Sequence, residues 1–99
     1  MTNFGKQMFK WMKDLFPVCR SLTGNGVDET LSYLKNKIGV QFKVLKFKTG
    51  QKVFDWTIPK VWNIKDGYIK TLSGKKIVNF KNNNLHVVGY STPINKVIS

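Results

Sequence analysis

The spacing of apolar residues changes at Gly39, and this change limits the folds that the chain can adopt. Before Gly39, apolar residues recur at intervals of three and four, which predicts helices. After Gly39, apolar and polar residues alternate, which predicts strands separated by short turns. The sequence therefore predicts an α+β fold, in which two N-terminal helices are followed by antiparallel β strands and hairpins.

The first helix is predicted from one apolar stripe along its surface. Its members recur at the spacing of a single helical face: Phe4, Met8, Trp11, Met12 and Leu15. Pro17 should end this helix near Phe16, because the residue before a proline disfavours helical geometry. A stripe of this kind predicts a face packed in a core. A weaker alternative is a basic amphipathic helix, residues 1–16, that lies on a membrane surface.

The second helix follows a glycine-rich loop. Asn25 is a predicted N-cap, with Asp28 in the first turn, and Gly39 suits the position just after the last turn. One apolar face results, formed by Val27, Leu31, Leu34 and Ile38. The loop at residues 23–26 could bind an anion at the helix N-terminus, but it lacks the lysine and the spacing of a phosphate-binding P-loop. A plain helix-capping loop is the favoured interpretation.

The rest of the chain predicts strands and turns. Residues 40–47 alternate as a half-buried strand, and a turn at residues 49–51 leads to a second extended segment at residues 52–58. A turn at Ser73-Gly74 joins a β-hairpin. Three consecutive asparagines then form a turn before a strand-like segment at residues 85–90.

The stretch FDWTIPKVWNI, residues 54–64, is the least generic in the chain. Alternation places Phe54, Trp56 and Ile58 on one face and Asp55 on the other. Pro59 cannot donate to a sheet ladder, so it should end the strand, after which Trp62 and Ile64 resume the alternation. The apolar face is predicted to be core.

The net charge of +12 raises the possibility of a polyanion partner. Sixteen of the seventeen basic residues are lysines, however, and Arg20 is the one arginine. The lysines occur in every segment, and lysine is the poorer bidentate ligand for phosphate. Solvated surface lysines are the favoured interpretation, with no specific nucleic-acid partner.

The residues that could perform chemistry are few. His86 is the only histidine and Cys19 the only cysteine, so the chain cannot supply the three ligands of a catalytic zinc site in the usual way. The acids are scattered: Asp14, Asp28, Glu29, Asp55 and Asp66. We predict no catalytic, cofactor-binding or metal-binding residue here. No apolar run approaches the ~20 residues that span a bilayer, and a cytoplasmic location without membrane contact is expected.

Three stretches of the chain carry a family resemblance: LFPVCRSLTGNGVDETL, GQKVFDWTIPKVWNIKDGYI and GKKIVNFKNNNLHVVGYSTPIN. In this order they resemble the start of a bacterial zinc-aminopeptidase-like family with an inserted β domain. That family is known as polysaccharide-biosynthesis-associated or as a domain of unknown function. The resemblance runs from about Leu15 to Ile98.

The resemblance implies that this chain is a noncatalytic N-terminal portion of a longer protein, through truncation or a split gene. Residues 1–50 would begin an α/β aminopeptidase-like domain, and residues 51–99 would begin the inserted β domain. FDWTIPKVWNI would cross between the two, with its aromatic rings buried at the junction. Zinc ligands would lie beyond Ser99, and the remainder of the domain would be the partner. The alternative function is a small basic binding module for nucleic acid or another polyanion.

Overall fold

The computed structural model describes residues 2–99 and has the predicted α+β architecture. Two helices come first, and two separate two-stranded antiparallel sheets follow. The elements are α1 (Asn3–Leu15), α2 (Asn25–Ile38), β1 (Lys52–Val53), β2 (Trp56–Thr57), β3 (Tyr68–Lys70), β4 (Lys76–Asn79) and a 3₁₀ helix (Asn84–His86).

Helix α1 ends where the sequence predicts. The Thr2 hydroxyl accepts from the Gly5 amide at 3.1 Å and caps its N-terminus. Two side chains donate to carbonyls at the other end: Arg20 to Leu15 O and Asn84 to Phe16 O, each at 2.8 Å. The last carbonyls of a helix lack intrahelical partners, and Pro17 prevents the helix from continuing. The two side chains therefore bond to carbonyl oxygens that have no partner within the helix.

Helix α2 confirms one predicted end and corrects the other. Gly39 adopts the left-handed conformation, with φ of 70°, as predicted for the residue that ends the helix. Asn25 was predicted as the N-cap, but it is the first helical residue, and Gly24 occupies the cap position without a side-chain bond. The capping oxygen comes instead from a distant residue, described below.

The predicted strand at residues 40–47 is wrong. The segment has no ladder, and four of its apolar side chains are more than a third exposed: Val40, Val44, Leu45 and Phe47. Alternation defines two faces, but a strand also needs a hydrogen-bonded neighbour. Among residues 2–99, none pairs with this segment.

Residues 52–58 form a hairpin rather than one extended segment. β1 pairs with β2 in antiparallel register, Val53 opposite Trp56, so that Phe54 and Asp55 form a two-residue turn. The turn removes the predicted common face of Phe54, Trp56 and Ile58. Every hydrogen bond described for residues 49–59 has its partner within residues 48–59, which we call the hairpin arm.

The second hairpin is confirmed. β3 pairs with β4, with Ile69 opposite Val78 and a bulge after Ile69, and the turn contains Gly74 at φ 93°. The predicted strand at residues 85–90 is wrong, because residues 84–86 form the 3₁₀ helix. The Asn83 side chain accepts from the Leu85 amide at 3.0 Å, which caps a helical turn instead of starting a strand.

No residue among residues 2–99 is buried, so the cores predicted for the α1 stripe and for FDWTIPKVWNI do not form within this segment. The side chain of Trp56 is 52% exposed. The chain is a flat body of 52 × 43 × 18 Å with a radius of gyration of 17.7 Å. A compact domain of this length has a radius of gyration of about 13 Å. Its accessible surface is 8943 Å², against roughly 5,800 Å² for a compact monomer of this mass.

Candidate functional site

The loop before α2 and the end of FDWTIPKVWNI meet, and their contacts are the best-defined site in the chain. The Trp62 amide donates to Thr23 O at 3.2 Å, and the Ser21 hydroxyl lies 3.1 Å from Trp62 O. The Asn25 amide donates to Asn63 Oδ1 at 2.7 Å. Three bonds thus join two of the stretches that carry the family resemblance, and we call residues 19–26 with residues 62–63 the loop junction.

Two glycines allow the close approach at the loop junction. A Cβ atom at Gly24 would collide with Trp62 O and lie 2.8 Å from Asn63 Oδ1. A Cβ atom at Gly26 would collide with the carbonyl of Cys19. Since these neighbours are mostly backbone atoms, which cannot rotate away, both positions require glycine for steric reasons.

The position of Asn63 bears on whether the loop at residues 23–26 binds an anion at the N-terminus of α2. Its carboxamide oxygen occupies the N-terminus of α2, where a bound anion would accept from the same amide. The favoured interpretation, a capping loop, agrees with this arrangement. Asn63 is 38 residues from Asn25 in the chain, so no local sequence signal identified it as the cap.

Trp62 also connects the loop junction to the C-terminal segment. Its indole nitrogen donates to Ser91 O at 3.1 Å, and its ring stacks on Tyr90 with centroids 6.0 Å apart and planes at 27°. Such stacking contributes about 0.5–1.5 kcal/mol beyond the area it buries. Trp62 and Ile64 lie in irregular backbone, not in the strand that their alternation predicts.

A groove of about 660 Å³ lies between the Trp62–Ile69 segment and the His86–Ile94 segment. His86 and Asp66 line it, together with apolar side chains such as Ile64 and Val87, and Asp66 forms an ion pair with Lys81 at 3.7 Å. Among the described residues, no hydrogen bond joins the imidazole to another side chain. The groove therefore has a mixed apolar and polar lining, and no hydrogen bond described for residues 2–99 links His86 to a nucleophilic side chain there.

A second polar contact joins the two helices. The Tyr33 hydroxyl donates to Asp14 Oδ2 at 2.7 Å, and Lys10 Nζ lies 3.1 Å from the same oxygen. The Tyr33 bond, followed by the Lys10 bond, lowers the pKa of the Asp14 carboxyl. The carboxylate in turn raises the pKa of Tyr33 to about 12. This contact lies on the surface and links α2 to the end of α1.

Within residues 2–99, no three histidine, cysteine, aspartate or glutamate side chains lie together in a group that could hold a metal ion. Cys19 is a free thiol at the loop junction. The described helices include none long and apolar enough to cross a membrane.

Comparisons with known proteins place this site in a larger context. The sequence profile of a family described as a domain of unknown function, DUF4910, matches residues 9–92. A protein of Clostridium acetobutylicum, provisionally named a polysaccharide biosynthesis protein with an aminopeptidase-like domain, is 45% identical over 95 residues. The match covers 96% of this chain and 21% of that protein.

A solved structure agrees with these matches. The crystal structure of a provisionally assigned peptidase from Clostridium acetobutylicum superposes with a TM-score of 0.87 at 46% identity. The superposition covers 94% of this chain and 22% of that one, so the chain spans about a fifth of the length of both relatives. The resemblance predicted from the sequence is confirmed. The alternative of a basic polyanion-binding module receives no support from these matches.

Proposed function

This chain belongs to the DUF4910 family, and we propose that it is the noncatalytic N-terminal portion of an aminopeptidase-like protein. In this proposal it supports a catalytic domain that the rest of the polypeptide supplies. Two observations support the proposal. The chain shares its backbone with part of a much longer peptidase-like chain, and none of residues 2–99 is buried.

The apolar face of α1 supports this proposal most directly. Phe4 is 78% exposed, Met8 66% and Met12 58%, all on one side of the helix. A contiguous apolar stripe of this kind marks an interaction surface, because soluble domains expose few such patches. The relatives contain several times the length of this chain, which is enough material to cover it.

The proposed division of labour leaves metal and catalysis to the remainder of the protein. The residues present here do not fit a zinc site, since zinc in enzymes takes three protein ligands that lie together. We therefore propose that zinc-dependent hydrolysis belongs to residues outside this chain. The relative's name supports a setting in polysaccharide biosynthesis, and the lone free cysteine is compatible with the reducing cytoplasm.

The test is a chimera, in which this chain replaces the matched segment of the Clostridium acetobutylicum relative. Met8→Cys, in a Cys19→Ser background, places a thiol on the apolar face of α1, and Lys6→Cys places one on the polar face as the matched control. Labelling by a maleimide, read by peptide mass spectrometry, should be fast for both variants of the isolated chain. In the chimera, only Met8→Cys should become protected.

Two outcomes would contradict the proposal. One is equal labelling of Met8→Cys in the chimera and in the isolated chain. The other is stoichiometric, chelator-resistant zinc in the isolated chain, measured by elemental analysis after dialysis.

A further inference from the structure

Phe54 combines two features that are unfavourable for the isolated fold. Its side chain is 99% exposed, and its φ is 55°, in the left-handed region. Left-handed geometry costs a non-glycine residue free energy, and a bulky aromatic residue adopts it rarely. At this exposure the ring makes essentially no packing contact that could offset the unfavourable conformation.

The turn chemistry makes the choice of residue informative. Of the two turn residues, Phe54 alone has positive φ, as at the first central position of a type II′ turn, where glycine is preferred. The β3–β4 hairpin follows the usual rule, because there the left-handed position is occupied by Gly74. Glycine at position 54 would relieve the strain, so the turn itself does not require a phenylalanine at this position.

The hydrogen bonds of the hairpin arm are internal, and Phe54 lies in the turn at its end. Ladder bonds, the Gly50–Ile58 bond at 2.9 Å and the Ile58–Gln51 bond at 2.9 Å close the arm on itself. No described hydrogen bond of residues 49–59 reaches beyond residues 48–59. The ring therefore stands at the free end of a self-contained projection.

We propose that Phe54 is an anchor that inserts into an apolar pocket of the remainder of the same polypeptide. The inference rests on the proposed function, since it requires that remainder. Its support is that this backbone recurs within a chain of which it forms only 22%, so a much larger part of that chain is available to supply a pocket. Aromatic anchors that fill pockets dominate contacts of this kind.

The second hairpin provides a matched control. Leu72, in the turn between β3 and β4, is 94% exposed, and it has no positive φ. Phe54→Cys and Leu72→Cys, each in the Cys19→Ser background, should react with a maleimide at similar rates in the isolated chain. In the chimera, Phe54→Cys should react on the order of a hundredfold more slowly, because labelling then requires local opening, whereas Leu72→Cys should be unchanged.

A stability measurement gives a second readout. In the chimera, Phe54→Gly should lower the melting temperature. Phe54→Leu keeps an apolar side chain, so it should lower the melting temperature less. If Phe54→Cys labels freely in the chimera while Met8→Cys is protected there, the anchor proposal is overturned and the proposed function is not. Loss of both protections, or a chimera that does not melt cooperatively, would overturn the proposed function as well. Protection that depends on protein concentration would indicate a second copy and also overturn the anchor.

Discussion

The two hairpins differ in how they are connected to the rest of the chain. The β3–β4 hairpin contacts the rest of the chain at its base, where Gly67 lies close to Val87 and Ile64. Asn84, just beyond it, reaches the end of α1. No hydrogen bond described for residues 49–59 of the hairpin arm reaches beyond residues 48–59. We call residues 62–91 the anchored segment. The β3–β4 hairpin is thus part of the anchored segment, whereas we propose that the hairpin arm contacts the remainder of the polypeptide.

The largest effect is expected from breaking the loop junction that holds the anchored segment. Gly24→Ala places a Cβ atom against Trp62 O and Asn63 Oδ1. Such overpacking should lower the free energy of unfolding by about 3 kcal/mol, measured by chemical denaturation of the chimera. Gly39→Ala is the control, because its φ is also positive but its Cβ would meet nothing within 4 Å. Equal losses for the two variants would show that the close approach is unimportant.

The turn of the anchored hairpin gives the next effect. Gly74 has a φ of 93° and open space around its missing side chain, so Gly74→Ala adds backbone strain and no collision. We expect a loss of about 1–2 kcal/mol in the free energy of unfolding of the chimera. A neutral Gly74→Ala would mean that the turn readjusts freely and that the contrast with Phe54 has no energetic basis.

Removal of the Asn63 cap should have a similar or smaller effect. Asn63→Ala leaves the Asn25 amide without its acceptor and should cost about 1 kcal/mol, measured by the same denaturation. Asn63→Asp keeps an acceptor and adds negative charge at the positive end of α2, so it should preserve stability. An Asn63→Asp variant as unstable as Asn63→Ala would contradict the capping role.

The sequence predicted features that depend on neighbours along the chain. Pro17 and Gly39 mark helix ends by their own backbone preferences, and Ser73-Gly74 marks a turn in the same way. Contacts between distant residues were not predictable: the cap from Asn63 joins positions 38 residues apart, and Asn84 contacts Phe16 from 68 residues away. Apolar spacing identified candidate core residues, but it could not show that no core forms among residues 2–99.

In the isolated chain, the hairpin arm should respond in the opposite direction to the anchored hairpin. Phe54→Gly relieves the positive φ, although glycine also loses more backbone entropy on folding. The net effect should be a stabilisation of the arm by about 0.5–1 kcal/mol, seen as slower exchange of the β1 and β2 ladder amides. Faster exchange of those amides would show that Phe54 stabilises the arm itself, which would weaken the argument for an external contact.

The smallest effect lies outside both hairpins, at the Asp14–Tyr33 contact between the helices. The pKa of Tyr33 is raised to about 12, so the contact should be intact below pH 10, the ordinary value for tyrosine, and be lost as the pH rises through 12. The pKa of Asp14 is lowered, so the same contact should persist above pH 3.8 and weaken as the pH falls below that value. Tyr33→Phe removes the alkaline dependence and leaves Lys10 as the main group that lowers the pKa of Asp14, so it serves as the reference. The tyrosinate absorbance of the parent minus that of Tyr33→Phe isolates this residue from Tyr68 and Tyr90. A difference titration centred near pH 10 would contradict the hydrogen bond, whereas one near pH 12 would support the contact between the Tyr33 hydroxyl and Asp14 in the chain itself.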